Sequence, residues 1–309
     1  MTTFEILLQQ IGLFVIYILA GVILVRTKVL NRETLEPISK FVIKMALPVM
    51  IFINIIDGVN KEILTGSWSI LLIAAGFYAV MFLVSFGMTK FFRLSEDRAG
   101  ICQAMMLFGN IGFMAVPVIS SVFPGNGILY VSVFMVFDQL MLWTLGVKLT
   151  TPPGSGGFEL KKLVNPATVA ILIGMILMLT EVRIPSLLDT GLQKIGATAS
   201  PLAMIYIGGI FAELPLKKYL KELSLYGIVL VRMLLAPLLM FFVLGFFPVS
   251  AEIRLAMALI TGMPTMTAVV MMANASGMDG EYALGGVFIT TLCGIVTLPC
   301  ICWLLQYTI

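Results

Sequence analysis

The stretch GNIGFMAVP, residues Gly109 to Pro117, carries two glycines, an asparagine and a proline inside an otherwise apolar run. Proline removes a backbone donor and clashes with the carbonyl one turn earlier, and glycine lowers the free energy needed to leave helical geometry. In lipid, each freed backbone group needs a partner from protein, water or ligand. The stretch therefore predicts a membrane helix that is interrupted at a place surrounded by protein.

The composition of the whole chain agrees with a membrane setting. Of its 309 residues 60% are hydrophobic, the mean hydropathy is +1.08, and there are only 19 Lys+Arg and 16 Asp+Glu. Long continuous apolar runs favour helices over the short alternating strands of barrels, so we predict an all-α membrane protein. The chain has no histidine, which excludes Ser/His/Asp and Cys/His catalysis and most zinc sites. We therefore expect no enzyme, no cofactor and no metal centre. Because no basic stripe interleaved with aromatic residues is present, we also expect no nucleic-acid partner.

Apolar windows of about 20 residues predict ten membrane spans. They lie near 4–25, 38–57, 67–89, 99–122, 127–149, 165–181, 187–211, 223–246, 252–275 and 282–307. Fourteen cations lie in the loops and helix ends after the odd-numbered spans, whereas only Lys61, Arg183 and Arg254 lie on the opposite side. By the positive-inside rule both termini face away from the cytoplasm, and the first span reads as an uncleaved helix. The predicted location is the bacterial inner (plasma) membrane.

One offset of 153 residues relates the two halves of the chain. It pairs Ala46 with Ala199, Pro48 with Pro201, Gly109 with Gly262, Ala115 with Ala268, Val116 with Val269 and Gly127 with Gly280. Each half would then contain five spans. Because five is an odd number, the second half would enter the membrane inverted relative to the first. We predict a first repeat at 1–149, a cytoplasmic linker at 150–164 and an inverted second repeat at 165–309. Chance matches among Ala, Val and Gly are the alternative.

The offset superposes a second loosened stretch, GMPTMTAVV at 262 to 270, on the first. Interrupted helices at matching positions of two inverted repeats point to a substrate site near the membrane midplane, where half-helix N-termini favour an anion. Kinks that serve only close packing are the alternative. The predicted substrate-binding residues are Gly109, Asn110, Gly112, Pro117, Gly262, Pro264, Thr265 and Thr267.

A few polar side chains lie inside other predicted spans, where charge is expensive and usually functional. Asp138 and Gln139 lie in the middle of the fifth span, and Arg232 lies about 12 Å into the eighth. Asp138 could hold a proton, pair with Arg232 or make a structural hydrogen bond to a broken helix. Arg232 could neutralise a carboxylate substrate or satisfy helix-end carbonyls. Gln103 lies about two turns before Asn110 and could share its helical face.

Several motifs, taken in order, resemble the auxin efflux carrier family, the prokaryotic relatives of plant auxin carriers. They are LPVMIF (47–52), GNIGFMAVP (109–117), FPGNG (123–127), WTLG (143–146), MPTMTAVVMMANASG (263–277) and TLP (297–299). The resemblance covers nearly the whole chain. It implies an elevator-type transporter of the broad class of bile-acid and sodium/proton carriers, in which the broken fourth and ninth helices cross.

The resemblance also implies roles for helices and residues. Helices 1, 2, 6 and 7 would form a scaffold and a homodimer contact, and helices 3–5 and 8–10 a moving transport domain. Asn110 matches an asparagine that faces substrate in plant carriers, and Pro117 and Pro264 match the crossover prolines. Family substrates are small organic anions, namely auxins or dicarboxylates such as malate and malonate. The run Thr265-Met266-Thr267 departs from the plant pattern and argues against an aromatic auxin.

These observations predict a secondary or facilitative carrier of a small carboxylate, surrounded by lipid, that works by alternating access. Coupling to protons through Asp138, or to sodium through freed carbonyls and Asn110, stays open. A cation/proton antiporter of the same architecture is the nearest alternative, although neither broken segment contains the carboxylates that such carriers use. A channel or a ligand sensor is the alternative from another class.

Overall fold

The computed structural model describes residues 3–58, 68–152, 166–182, 184–213 and 216–306. Within these ranges every regular element is a helix, which confirms the all-α prediction. The predicted linker lies mostly outside the described residues, as do Lys61, Lys161, Lys162 and Arg183. The helices are α1 (Thr3–Arg26), α2 (32–58), α3 (Trp68–Phe91), α4a (Glu96–Leu107), α4b (Ile111–Val122), α5 (Gly127–Leu149), α6 (Pro166–Thr180), α7 (Ser186–Glu213), the short Leu216–Tyr219, α8 (Leu223–Leu244), α9a (Ala251–Thr261), α9b (Thr267–Ala275) and α10 (Gly280–Gln306).

Seven helices in the described part of the chain are long and apolar enough to cross a membrane, namely α1, α2, α3, α5, α7, α8 and α10. Helices α4b and α6 are apolar but shorter. Large apolar side chains such as Leu83 and Leu72 of α3 are exposed at 72% and 59%. Outward-facing side chains of this kind have lipid, not water, as their natural surroundings. These features support an integral membrane protein, and two of the predicted spans, 99–122 and 252–275, are each divided into two helices.

Three helices widen locally just before a proline. The π-helical stretches Val42–Ala46, Ile111–Ala115 and Val229–Leu235 precede Pro48, Pro117 and Pro237, respectively, by two residues. A proline ring collides with the carbonyl four residues earlier and cannot donate to it, and a wider turn relieves that collision. The helices therefore continue through these prolines instead of ending at them.

Helices α1 and α7 touch through their backbones. A Cβ atom added to Gly208 would lie 1.9 Å from the Ile18 carbonyl oxygen, and one added to Gly21 would lie 2.0 Å from the Ile205 carbonyl oxygen. Only glycine fits at either position. Close approach of this kind supplies van der Waals contact where lipid offers no hydrophobic drive for helix association. Helix α2 also packs on both α6 and α7.

The two interrupted helices run through the most buried part of the protein. All residues from Ile101 to Leu107 in α4a are buried, and so are all residues from Leu255 to Thr261 in α9a. Both helices stop there, at Leu107 and at Thr261. Their last carbonyls and the first amides of α4b and α9b consequently end inside protein, where each needs a partner.

Candidate functional site

The two interruptions meet as a short antiparallel pair. Gly109 lies opposite Thr265 in an isolated β-bridge. The Asn110 N–H donates to the Pro264 carbonyl at 2.7 Å, and the Met266 N–H donates to the Phe108 carbonyl at 3.0 Å. The stretches 108–110 and 262–266, which we call the crossing, therefore satisfy part of each other's backbone.

Arg232 of α8 bonds the carbonyl ends of both interrupted helices. Its Nε donates to the Met263 carbonyl at 3.1 Å and its Nη1 donates to the Met106 carbonyl. The side chain is only 1% exposed. Of the two roles that the sequence left open for this residue, the structure supports the bonding of helix-end carbonyls. No ion pair joins it to Asp138 among the described residues.

Gly109 makes room for the guanidinium. A Cβ atom added at this position would lie 2.2 Å from Arg232 Nη2. Any side chain there would displace the arginine, so the requirement for glycine comes from this contact as well as from the interrupted helix. Gly109 is thus a neighbour of Arg232 at the crossing.

The amide ends of α4b and α9b are left open. In the described ranges the backbone N–H groups of Gly112, Phe113, Thr267 and Ala268 have no hydrogen-bond acceptor. First-turn amides are free in any helix, and together with the helix dipole they make a site of positive potential. Both helices start at the crossing, so two such ends lie beside it.

Two buried side chains at these amide ends have no partner. Both the amide nitrogen and the amide oxygen of Asn110 lack a hydrogen bond, although the residue is 1% exposed. The hydroxyl of Thr267, which is 3% exposed, lacks one as well. Buried polar groups are nearly always satisfied, so unsatisfied ones are candidates for ligand contacts.

The neighbouring threonine behaves differently. The Thr265 hydroxyl donates to the Met105 carbonyl at 3.3 Å, and its N–H donates to the Thr290 hydroxyl at 3.1 Å. Its polar groups are therefore already used inside the protein. The predicted pair Thr265 and Thr267 divides into a residue that holds the crossing together and a residue with a free hydroxyl.

A small cavity lies beside Thr267. It lies between α2, α4b, α7 and α9b, its walls are mostly apolar, and its volume of about 10 Å³ is room for about one water molecule. Four helices therefore meet at this space. Its lining residues are Ser39, Val42, Ile43, Phe113, Ala203, Tyr206, Thr267 and Met271.

The prediction that Pro117 belongs to the crossover needs correction. Pro264 lies in the crossing, but Pro117 lies within α4b, beyond the wide turn Ile111–Ala115. The helix instead stops at Leu107 and the chain is extended at Phe108. Because Pro117 has no N–H, the Phe113 carbonyl is freed, and the Ser200 hydroxyl of α7 donates to it at 2.6 Å.

The remaining predicted residues lie around the crossing. Gly262 follows the end of α9a, and its N–H donates to the Ala258 carbonyl at 3.0 Å. Gly112 faces Leu47 and Met50 of α2. Gln103 is buried in α4a.

Asp138 and Gln139 form a buried network on the far side of Phe108. The Tyr78 hydroxyl and Gln139 Nε2 donate to the two carboxylate oxygens of Asp138, the latter at 3.0 Å. Gln139 Oε1 in turn accepts from Trp143 Nε1 at 3.3 Å. The Tyr78 ring packs on Phe108 with 5.7 Å between centroids, which connects this network to the crossing.

Sequence reasoning missed Tyr78, Thr290 and Ser200. Each lies in an apolar run with no distinguishing neighbour, and each acts on a backbone or carboxylate group that only the tertiary structure brings to it. In the part of the chain that the structure covers, no group of three or more His, Cys, Asp or Glu residues lies close enough to hold a metal ion.

The family model described as "Membrane transport protein" matches residues 6–159 and 155–302. The chain belongs to this family. The match agrees with the resemblance to auxin efflux carriers, and similar proteins are named as transporters and not as enzymes.

Individual members of the transport family are similar to the chain at low identity. An uncharacterized transporter of Methanothermobacter thermautotrophicus is 24% identical over 300 residues, which are 92% of this chain and 93% of the relative. A protein of Rhizobium meliloti provisionally named as a malonate transporter is 22% identical over 285 residues, 89% of this chain and 88% of the relative. The uncharacterized transporter YfdV of Escherichia coli (strain K12) is 24% identical over 208 residues, 63% of this chain, and the matched part spans 65% of YfdV.

Proposed function

We propose that this transporter carries a small organic anion with a carboxylate group and that the anion binds at the amide ends of α4b and α9b. The observation that carries the proposal is the unsatisfied, buried side chain of Asn110 beside four free backbone amides. A bound carboxylate would accept from these amides and from Asn110 Nδ2, and the Thr267 hydroxyl would donate to it. The ligand thus supplies the hydrogen bonds that the protein leaves unmade.

The substrate class follows from the size and charge of this place. Two helix N-termini and a neutral amide favour a small anion, and no acidic side chain lies in either interrupted stretch to repel it. The adjoining space has apolar walls and a volume of only about 10 Å³, so a carbon chain there would have to be short and would enter only as the surrounding helices separate. The relative provisionally named as a malonate transporter supports a dicarboxylate such as malonate or malate over an auxin-like acid.

The helix ends support two repeats that are related by inversion. Helix α3 ends at Phe91 and α8 at Leu244, α4b ends at Val122 and α9b at Ala275, and α5 begins at Gly127 and α10 at Gly280. Each pair differs by the 153 residues found in the sequence. We propose that 1–149 and 165–309 are inverted five-helix repeats joined by the linker 150–164, with ten helices in all.

We propose that transport is of the elevator type, with α1, α2, α6 and α7 as the scaffold. The other helices would move past it. Few side-chain hydrogen bonds of the described residues connect the two groups: Ser200 to the Phe113 carbonyl, Ser39 to Met271 at 3.2 Å, and Ser132 to the Asn54 carbonyl at 3.2 Å. An interface held by so few polar contacts can exchange them during sliding. A homodimer through the scaffold, and termini outside the cytoplasm of an inner membrane, belong to the same proposal.

A cation/proton antiporter of this architecture is less well supported. Such a carrier needs an anionic site at the crossing, whereas the buried charge found there is the guanidinium of Arg232. A channel would conduct without saturable exchange, and a ligand sensor would bind without moving its ligand.

Counterflow in proteoliposomes tests the proposal. Vesicles loaded with unlabelled malonate or malate should accumulate the labelled acid, with saturation, above the level of empty vesicles. Asn110→Ala should abolish this accumulation, while Asn126→Ala, a matched control in an exposed turn, should retain it. Demonstrable binding of these acids without any counterflow would contradict a carrier and favour a sensor.

A further inference from the structure

Arg232 is a buried cation placed between the carbonyl ends of two helices. Its one guanidinium contacts the carbonyls of Met106, in the last turn of α4a, and Met263, just after α9a. The carbonyl ends of helices carry partial negative charge, and here two of them converge. The arginine therefore neutralises the negative pole that these two helix ends make.

In carriers with broken helices, unwound carbonyls and helix C-termini are the usual ligands of a coupling sodium ion. Here five carbonyls around the crossing already accept hydrogen bonds. Arg232 occupies those of Met106 and Met263, the Thr265 hydroxyl occupies that of Met105, and the amides of Met266 and Asn110 occupy those of Phe108 and Pro264. A metal ion at these oxygens would have to compete with hydrogen bonds that are already in place, among them the charged ones of Arg232.

We propose that Arg232 takes the place of a coupling sodium ion, so that the crossing is held in its binding geometry by a permanent charge and the carrier works without sodium. The part of this inference that concerns transport rests on the proposed function. Arg232 acts as a positioning residue, since it reaches the amide ends only through the backbone it holds. With the carbonyl ends neutralised, the free amides of α4b and α9b set the sign of the site, which favours anions.

The geometry also explains why the charge is an arginine. A planar guanidinium donates to two carbonyls in fixed directions, whereas the ammonium of lysine is a single point of charge. Gly109 completes the arrangement, because a Cβ atom there would lie 2.2 Å from Arg232 Nη2. An ordinary residue at 109 would expel the guanidinium and reopen the carbonyls.

Thermal unfolding of the full-length protein in detergent tests the inference without any substrate. The melting temperature of the wild type should be equal in NaCl and in choline chloride of the same concentration. Arg232→Gln should melt lower by about 5 °C or more in choline chloride. Sodium should restore a large part of that loss, because it binds the opened carbonyls and stabilises the folded state. Arg232→Lys should fall between the two, and Gly109→Ala should behave like Arg232→Gln.

Arg254→Gln is the matched control. Arg254 also donates through Nε to a carbonyl, that of Phe241 at 3.2 Å, but it lies away from the crossing. Its variant should melt at the same temperature in the two salts.

Counterflow tests the same inference on transport. Replacing sodium by choline should leave the wild-type counterflow rate unchanged, and in choline chloride Arg232→Gln should lose about tenfold or more of that rate.

Several results would overturn the inference. A wild type that sodium stabilises, or whose counterflow needs sodium, would do so, and so would an Arg232→Gln variant that melts equally in both salts. If that variant does not fold, the wild-type measurements and Gly109→Ala still decide. Absence of carboxylate transport would overturn the proposed function but would leave the melting experiment intact.

Discussion

The hydroxyl of Ser200 in α7 donates a 2.6 Å hydrogen bond to the Phe113 carbonyl, the group that Pro117 leaves without its helical donor. A gap in the hydrogen bonding of α4b is thereby closed by a different helix, on the other side of the interface that the elevator proposal makes mobile. The proline that the sequence suggested as a crossover residue provides instead a contact between the two groups of helices.

Ser200→Ala should therefore lower the melting temperature, because it leaves a buried carbonyl unsatisfied at a loss of about 1–3 kcal/mol. Pro117→Ala should make the same change nearly harmless, because the restored N–H can donate to Phe113. Melting temperatures of the two single variants and the double variant measure this coupling. Equal losses from Ser200→Ala in both backgrounds would contradict the link between Pro117 and Ser200.

Asn110→Ala should lose transport without losing stability. The amide has no hydrogen-bond partner within the protein, so its removal deletes a buried polar group that the fold does not use. We expect a melting temperature equal to or above that of the wild type and a fall in counterflow of about tenfold or more. Such a pairing of lost activity with retained stability is typical of groups kept for function. A large fall in melting temperature would instead indicate a structural role.

Asn110→Asp is a second test of whether Asn110 contacts the substrate anion. The carboxylate has nearly the same shape as the amide but places a negative charge where the substrate anion should bind. Counterflow should fall at least as far as in Asn110→Ala. Retained transport of the anion would contradict the assigned site.

Thr265 and Thr267 offer a comparison within one stretch. Thr267→Val removes a hydroxyl that has no partner, so the substrate concentration for half-maximal counterflow should rise while the melting temperature holds. Thr265→Val removes the donor to the Met105 carbonyl and should lower the melting temperature, by an amount that corresponds to about 1–3 kcal/mol. The opposite pattern would show that Thr265 contacts the substrate and that Thr267 stabilises the fold.

Glycine and proline in apolar runs were sufficient to predict the interrupted helices, because the local cost of helical geometry depends on those residues themselves. The observed interruptions at 108–110 and 262–266 overlap the predicted stretches 109–117 and 262–270. The position of the first one within GNIGFMAVP could not be predicted, because a wide π-helical turn can absorb Pro117 and leave its helix intact.

The different roles of the residues at the site could not be predicted either. In the sequence the two threonines look equivalent and the arginine lies inside an apolar span. Their roles depend on which backbone N–H and C=O groups have no hydrogen-bond partner in the tertiary structure. Arg232 acts on carbonyls 126 and 31 residues away in the chain, and its neighbour is a glycine with no side chain to signal the contact. Asn110 and Thr267, which the sequence predicted from their places in the interruptions, both have unsatisfied side chains in the structure.

Asp138→Asn separates substrate binding from proton coupling. The carboxylate lies behind Phe108, bonded by Tyr78 and Gln139, and is not part of the free amide ends. If Asp138 carries the coupling proton, the variant should keep counterflow, which needs no net proton movement, and should lose uptake driven by an imposed pH gradient. Tyr78→Phe, which removes one donor but keeps the carboxylate, should retain gradient-driven uptake. Equal gradient-driven uptake by the wild type and Asp138→Asn would exclude this carboxylate as the proton carrier and leave its two hydrogen bonds as a structural anchor for α3 against α5.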